Sequence, residues 1–383
     1  AGVQNFGLTL GLIASDFNND GWQDLYLSND FNVPDYFYIN NKDGTFKEVL
    51  KEATGHVSMF GMGIDASDFN NDGLIDLVQA EMSPDDYVRS RVNMASMSPR
   101  NFEEGVSMGF HYQYMQNSLQ LNNGINNQNI PMMSEISRFA NMASTDWSWS
   151  TLFADLDNDG WKDIYITNGM KRDVNDNDVN NKANPTSFKQ AFNIEITDYP
   201  SEPIANFVYR NKKGLSFEKK AEDWGLDFKG FSNGMAYGDL DNDGDLDLVI
   251  NNIDQPASLF KNETTGMNYL KVALKGPVKN PFGLGAKVTV VSGQNSQVQE
   301  MTLTRGFQSS VEPILHFGLG NSSSIDTIKV RWSDGKVQTI VNTSANQLLV
   351  LDYSNNEGKQ NEIITRNDNF NDITSISNIN FTH

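Results

Sequence analysis

One phrase of nine residues limits what this chain can fold into. DFNNDGWQD begins at Asp16, DFNNDGLID at Asp68, DLDNDGWKD at Asp155 and DLDNDGDLD at Asp239. An acid stands at positions one, five and nine, Asp or Asn at three, and Gly at six. Such a phrase is a cage of oxygens. Hard cations such as Ca²⁺ take six to eight oxygen ligands from carboxylates, amides and backbone carbonyls. A spacing of two lets side chains one, three and five converge from one tight loop, and Gly at six allows a positive-φ turn. The predicted ligands are Asp16, Asn18, Asp20, Trp22 and Asp24 in the first loop, and Asp68, Asn70, Asp72, Leu74 and Asp76 in the second. In the third they are Asp155, Asp157, Asp159, Trp161 and Asp163, and in the fourth Asp239, Asp241, Asp243, Asp245 and Asp247. Position seven contributes its backbone carbonyl. A single copy would also read as an Asx-rich turn without metal; four copies with one acid pattern favour the cage.

An EF-hand loop starts alike but needs an acid at position twelve and a following helix. Position twelve here is Leu27, Gln79, Ile166 and Ile250. The flanks, as in LIASD before and DLYLSND after, are strand-like. Each cage therefore occupies the turn of a β-hairpin. The expected ion is structural, because no general base and no open coordination position accompanies it.

A second element follows each loop: DYFYINNKDGTF, NSLQLNNG, NFVYRNKKGLSF and ASLFKNETTG, each a strand ending in an Asn-rich turn. Each repeat then holds four antiparallel strands, which is a propeller blade. The loops and flanks, as in FGMGIDASDFNNDGLIDL and FSNGMAYGDLDNDGDLDL, resemble the FG-GAP (VCBS) repeats of integrin-α-type β-propellers. That resemblance spans residues 1–267 and implies about four structural Ca²⁺ ions. Such propellers usually have about seven blades, so earlier blades are expected outside this chain.

The Asn ending the third strand lies 24 residues after Asp16 (Asn40) and 23 after Asp239 (Asn262), but 54 after Asp68 (Asn122) and 56 after Asp155 (Asn211). The two middle repeats thus carry insertions, at about 84–113 and 171–203, at the same topological position. Hairpin turns alternate between the two faces of a blade, so both insertions belong on the face opposite the cages. Long insertions are often functional. Eight of the 14 Met lie between Met82 and Met142; most should fill the core and one or two should meet a partner.

From Asn268 the chain alternates apolar and polar residues without any cage. Asn268, Leu270, the GLGAKV run at 283–288, HFGLG at 316–320 and VRWSDG at 330–335 resemble the ASPIC/UnbV domain that follows FG-GAP propellers in surface proteins. It is assigned to 268–352, as a small β-sandwich-like domain. That family implies no catalytic set, and His316 reads as a structural, hydrogen-bonded histidine. Residues 353–383 read as a polar linker and the start of a further module.

Composition excludes several classes. There is no Cys, hence no disulfide, thiolate site or Cys nucleophile. The formal net charge of −20 disfavours a nucleic-acid partner. Four divalent ions would bring it to about −12. No apolar run is long enough to span a membrane, and no secretory n-region opens the chain. No Ser-His-Asp spacing, phosphate loop or zinc motif is present, so the chain reads as a non-enzyme. The resemblance implies a calcium-stabilised, cell-surface binding or scaffold protein of the Bacteroidota type. It would be an accessory subunit of an outer-membrane transporter complex (TonB-dependent), attached through a lipid anchor outside this chain. The alternatives are a polysaccharide-binding protein or lyase, using Trp147, Trp149 and Tyr112, and an adhesin.

Overall fold

A computed structural model describes residues 1–93, 99–183 and 195–359. The protein is all-β, with 43% strand and 8% helix. Four successive sheets are built by one recipe. The first pairs Leu8–Ser15, Asp24–Asp30, Tyr36–Asn40 and Phe46–Glu48 in chain order, all antiparallel. The second uses Ile64–Ser67, Asp76–Gln79, Ser118–Ile125 and Pro131–Glu135, and the third Ser148–Ala154, Asp163–Asn168, Phe207–Asn211 and Phe217–Lys219. The fourth has three strands, Ser232–Gly238, Asp247–Asn252 and Ser258–Phe260. This corrects the expectation of four strands in every repeat. After the turn at Asn262 the chain enters the next domain at Asn268, so no residues remain for an outer strand.

The register is the same each time. The residue before the acidic loop pairs with its ninth residue: Ser15 with Asp24, Ser67 with Asp76, Ala154 with Asp163 and Gly238 with Asp247. The first strands of neighbouring sheets touch in sequence, so the sheets stand face to face around a common axis. Their cores lie between blades. Ile13, Tyr26 and Phe37 of blade 1 pack on Ile64 and Leu77 of blade 2; Phe69 and Val78 of blade 2 pack on Phe153, Ile164 and Tyr209 of blade 3. The loop's second residue joins that packing. Phe17, Phe69 and Leu156 are buried, and Leu240, on a blade without a successor here, is more than half exposed.

The C-terminal domain stacks two sheets over one core that includes Leu270, Val288, Phe317, Val330 and Trp332. One sheet orders Ile314–Gly320, Asn268–Lys275 and Gln347–Asp352, the last pair parallel. The other orders Asn295–Glu300, Lys287–Ser292, Ser324–Arg331 and Val337–Ser344. Residues 353–359, read above as linker, pack on this domain. Tyr353 meets Trp332 edge-on at 5.4 Å, its hydroxyl bonds Asp334, and Val337 N–H donates to Gly358. Residues from 360 on lie outside the described ones.

A short hairpin, Thr304–Arg305 paired with Ser309–Ser310, leaves this domain and enters the propeller axis. Gly306 and Ile64 exchange backbone hydrogen bonds, Phe307 N–H donates to Ser150 Oγ at 3.0 Å, and Met235 N–H donates to Ser309 Oγ at 3.1 Å. Phe307 packs on Trp149 with ring centroids 5.0 Å apart. Arg305 gives two 3.0 Å contacts from Nη1 to the carboxylate of Asp65, on the innermost strand of blade 2. Both residues are buried. Gly306 sits at φ +65, and a Cβ there would fall 2.2 Å from Ser150 Oγ. Only glycine permits so close an approach at that angle.

Candidate metal centres

The first three acidic loops share one bonding pattern, and the fourth repeats most of it. The position-one carboxylate accepts loop amides: Asp16 from Asp20 and Gly21, Asp68 from Asp72 and Gly73, Asp155 from Asp159 and Gly160, Asp239 from Gly244. Position five accepts from position seven: Asp20 from Trp22, Asp72 from Leu74, Asp159 from Trp161, Asp243 from Asp245. Gly21, Gly73, Gly160 and Gly244 have φ between +86 and +98. Position nine ties the loop to the third strand. Asp24, Asp76, Asp163 and Asp247 each accept the position-two amide and the amide of Asn40, Asn122, Asn211 or Asn262, respectively.

These carboxylates crowd. Asp155, Asp157 and Asp159 bring ligand atoms within 4.8 Å of one another, as do Asp239, Asp241 and Asp247. In the first two loops Asn18 and Asn70 hold position three and donate to Asp20 and Asp72. Burial, with like charges beside it, drives the carboxyls upward: Asp24 to about 8, Asp68 and Asp155 to about 7, and Asp76 and Asp163 well above the usual range. Such groups call for a proton or a cation. Asp239 Oδ1 and Asp245 Oδ1 are buried without a hydrogen-bond partner among the described residues. Orphaned anionic oxygens in a ring of carboxylates fit a hard divalent ion. Basic side chains also reach these acids from the third strand or the turn after it: Arg210 to Asp157 (2.6 Å) and Asp159, Lys261 to Asp241 (2.7 Å), and Lys42 to Asp20 (3.2 Å).

Two sets of asparagines escaped the sequence reading, although both repeat in it. The third-strand Asn was used only as a ruler. Its Nδ2 donates to the position-eight carbonyl of its own loop and to the position-two carbonyl of the preceding one: Asn122 to Phe17, Asn211 to Phe69, Asn262 to Leu156. Position four, treated as variable, is Asn in every loop, with φ between +56 and +63. Its Nδ2 donates forward to the position-six carbonyl of the next loop: Asn19 to Gly73, Asn71 to Gly160, Asn158 to Gly244. Adjacent loops are thus stitched in both directions.

Comparison with known proteins agrees with this anatomy. Residues 16–78 match the FG-GAP-like repeat family and residues 276–358 the ASPIC and UnbV family. The chain joins FG-GAP-like repeats to an ASPIC/UnbV domain. It is homologous to cartilage acidic protein 1. The mouse protein is 23% identical over 372 residues, covering 94% of this chain and 47% of its own length. The human protein is 23% identical over 370 residues, covering 93% and 46%. The chain therefore spans about half the length of these relatives. A solved structure of an Agrocybe aegerita protein that recognises terminal N-acetylglucosamine overlaps at a TM-score of 0.30 with 14% identity, over 66% of this chain and 52% of that one. That overlap is too loose to carry an argument.

The ASPIC/UnbV domain lies on the cage loops, and the motifs that carried its resemblance make the contact. Lys287, of GLGAKV, bonds the carbonyl of Asp16 at 2.9 Å and lies 3.2 Å from its carboxylate. Glu300 accepts from Ser15, the Asp16 amide and Gln23. His316, of HFGLG, lies 2.6 Å from Asn158 Oδ1, and burial pushes its pKa down to about 3. It is neutral and structural, as expected. A Cβ on Gly318 would fall 2.1 Å from the Asp155 carboxylate. Lys271 meets Asp239 at 2.5 Å. Trp147 is buried in the core and Trp149 is committed to Phe307 and Gly169, so neither is available as a sugar platform.

The opposite face carries both insertions. Arg89 of the first donates to Asp146 (2.7 and 2.9 Å), to Asp173 at the start of the second, and to Glu202 at its end (2.9 Å). Asp146 holds φ +119, a strained value for a non-glycine residue. Met108, Phe110, Tyr112 and Tyr114 are exposed there, with Phe31 from the equivalent connection of blade 1. Of the eight clustered methionines, Met82, Met115, Met133 and Met142 are buried and Met108 and Met132 exposed; Met94 and Met97 lie outside the described residues.

Proposed function

We propose that this chain is a non-catalytic, calcium-stabilised binding or scaffold protein that works outside the cell and grips a protein partner with its insertion face. The observation carrying this is the Arg89 clasp. It ties two separate insertions together, and the first of them also carries large apolar side chains in water, with Met108 75% and Tyr112 48% exposed. Exposed apolar clusters of this kind mark interaction sites. Neither matched family is a known enzyme family, and the acidic loops are tied into closed turns by their own amides. No helix among the described residues is long and apolar enough to cross a membrane. Extracellular calcium suits weak oxygen cages of this type, and the cartilage protein homologues favour the same compartment. The partner class this reading names is an outer-membrane transporter complex, with adhesion to a neighbouring cell as its variant.

A glycan is the second reading. Phe102 stacks on Tyr112 beside a cavity of about 240 Å³ lined by Asn32, His111 and Gln113. Cross-linking mass spectrometry on the full-length protein in its native membrane tests both. Stoichiometric cross-links from 84–113 or 171–203 to a membrane protein support the first reading. A protein that cross-links to nothing but binds a glycan array through Tyr112 supports the second.

A further inference from the structure

Between loops 1 and 2 and the ASPIC/UnbV domain lies a cleft of about 450 Å³. One wall is a sheet face. Lys287 pairs with Arg331 across two antiparallel strands, and Thr289 pairs with Lys329. Residues two apart on a strand share a face, so three cations and a threonine line this wall. No Asp or Glu lines the cleft, although the chain carries a net charge of −20. Like charges directly opposite each other destabilise a sheet. Lys287 is answered by Asp16. Arg331 is partly buried and stands over loop 1, where a Cβ on Gly21 would fall 2.7 Å from its Nη2. It has no hydrogen bond or ion pair among the described residues.

The opposite wall keeps its negative charge out of the cleft. Asn18 lines it from position three of loop 1, where loops 3 and 4 carry Asp157 and Asp241. Asp16 is met by Lys287 and Asp20 by Lys42, while Asp68 and Asp72 accept amides of their own loop. Leu74 and Ile125 add an apolar side. We propose that this cleft binds an acidic saccharide, with a uronic acid carboxylate on Arg331, a hydroxyl on Thr289 and the apolar face of the ring on Leu74 and Ile125. The guanidinium fork matches a carboxylate with two parallel hydrogen bonds. The volume lies within the range of about 300–1,000 Å³ that holds small ligands. The cations stand on the two inner strands of their sheet. That wall therefore offers side chains and no free strand edge, the feature an added peptide strand would need. The site is distinct from the insertion face.

Calorimetric titration of the full chain with digalacturonate, in millimolar calcium, tests this. Any ion in loops 1 and 2 adds positive charge behind Asn18 and favours an anion. The control is the methyl ester of the same sugar, which keeps the rings and loses the charges. The acid should bind, and the ester should bind at least about tenfold more weakly, as expected for losing a hydrogen bond to a charged group. Arg331→Gln should lower affinity for the acid about tenfold with an unchanged melting temperature, since the side chain has no partner to lose. Arg331→Lys should recover part of the affinity. Asn18→Asp, which gives loop 1 the residue of loops 3 and 4, should weaken binding by placing a carboxylate at the cleft. Equal affinity for acid and ester, unchanged affinity in Arg331→Gln, or no binding of digalacturonate would each overturn the proposal. A glutamate-rich peptide that binds through Arg331 where the saccharide does not would overturn it too, and would make the cleft a peptide site.

Discussion

The loop face and the insertion face are ends of the same strands, yet they are held by opposite means. On the loop face one nine-residue pattern is used four times, neighbouring loops are stitched by asparagines, and a second domain covers the result. On the insertion face no two connections are alike. Blade 1 has the short turn at Phe31, blade 2 the segment 84–113, blade 3 the segment 171–203, and one arginine gathers the last two. The regular face binds its acids into repeated turns, and the irregular face leaves large apolar groups exposed. The difference suggests a division of labour: repetition builds stability, and departure from repetition builds recognition.

Removing metal would break the comparison most strongly. A loop holding an ion at one hundred times its dissociation constant gains about 2.7 kcal/mol, so several loops together outweigh any single substitution. EDTA should lower the melting temperature markedly, and calcium should restore it. An unchanged melt, with no metal found by mass spectrometry, would leave the loops as turns only.

Arg305→Met comes next. It strands the buried Asp65 carboxylate in the axis, and losing one partner of a buried ion pair costs about 3–5 kcal/mol. Denaturant unfolding should show a loss in that range, and the double variant Arg305→Met/Asp65→Asn should recover part of it. Equal losses in the single and double variants would mean the hairpin holds by shape alone.

Arg89→Met should act on the other face alone. It removes the cation from the buried Asp146 and Asp173, but each keeps a donor, the Trp147 amide and the Asn93 side chain, and the insertions can rearrange. The expected cost is about 1–3 kcal/mol, seen as faster exchange in 84–93, 171–183 and 195–203. The amides of Gly306 and Phe307 should stay protected. Acceleration at both ends would show that the faces are coupled through the blades.

Much of the loop face was legible in the sequence because it is periodic. The acids at one, three, five and nine, the hairpin setting and the side on which the insertions emerge all follow from spacing. The asparagine stitches were equally periodic but hidden by what they bond. Asn122 reaches Phe17, more than a hundred residues away, and no local rule assigns a partner at that range. The plug was not legible. TRGFQSS reads as an ordinary turn, and only the ring of strands around it explains why Gly306 must lack a side chain. The missing strand of blade 4 was a failure of analogy, since three complete repeats suggested a fourth. The Arg89 clasp joins residues 57, 84 and 113 positions apart, and its charges look like any solvated set in one dimension.

The smallest effect expected is at Glu81, beside the insertion face. Its carboxyl accepts the Phe60 amide, and its other oxygen is buried without a partner among the described residues. Burial, with Asp30 adding a like charge, drives its pKa well above the usual range. In the folded protein it therefore keeps a proton that the unfolded chain releases near pH 4.3. Its contribution is fully present below that pH and is lost as pH rises toward the folded value. Glu81→Gln supplies a permanently neutral group of the same shape. At pH 4 the variant should match the native protein, and at pH 8 it should be more stable by about 1 kcal/mol, the cost of keeping a buried carboxyl protonated or charged. Urea unfolding at the two pH values checks this. A variant less stable at both would mean that Glu81 is ionised in the fold, held by a cation or donor on the insertion face, and that the bare face too conceals a charged site.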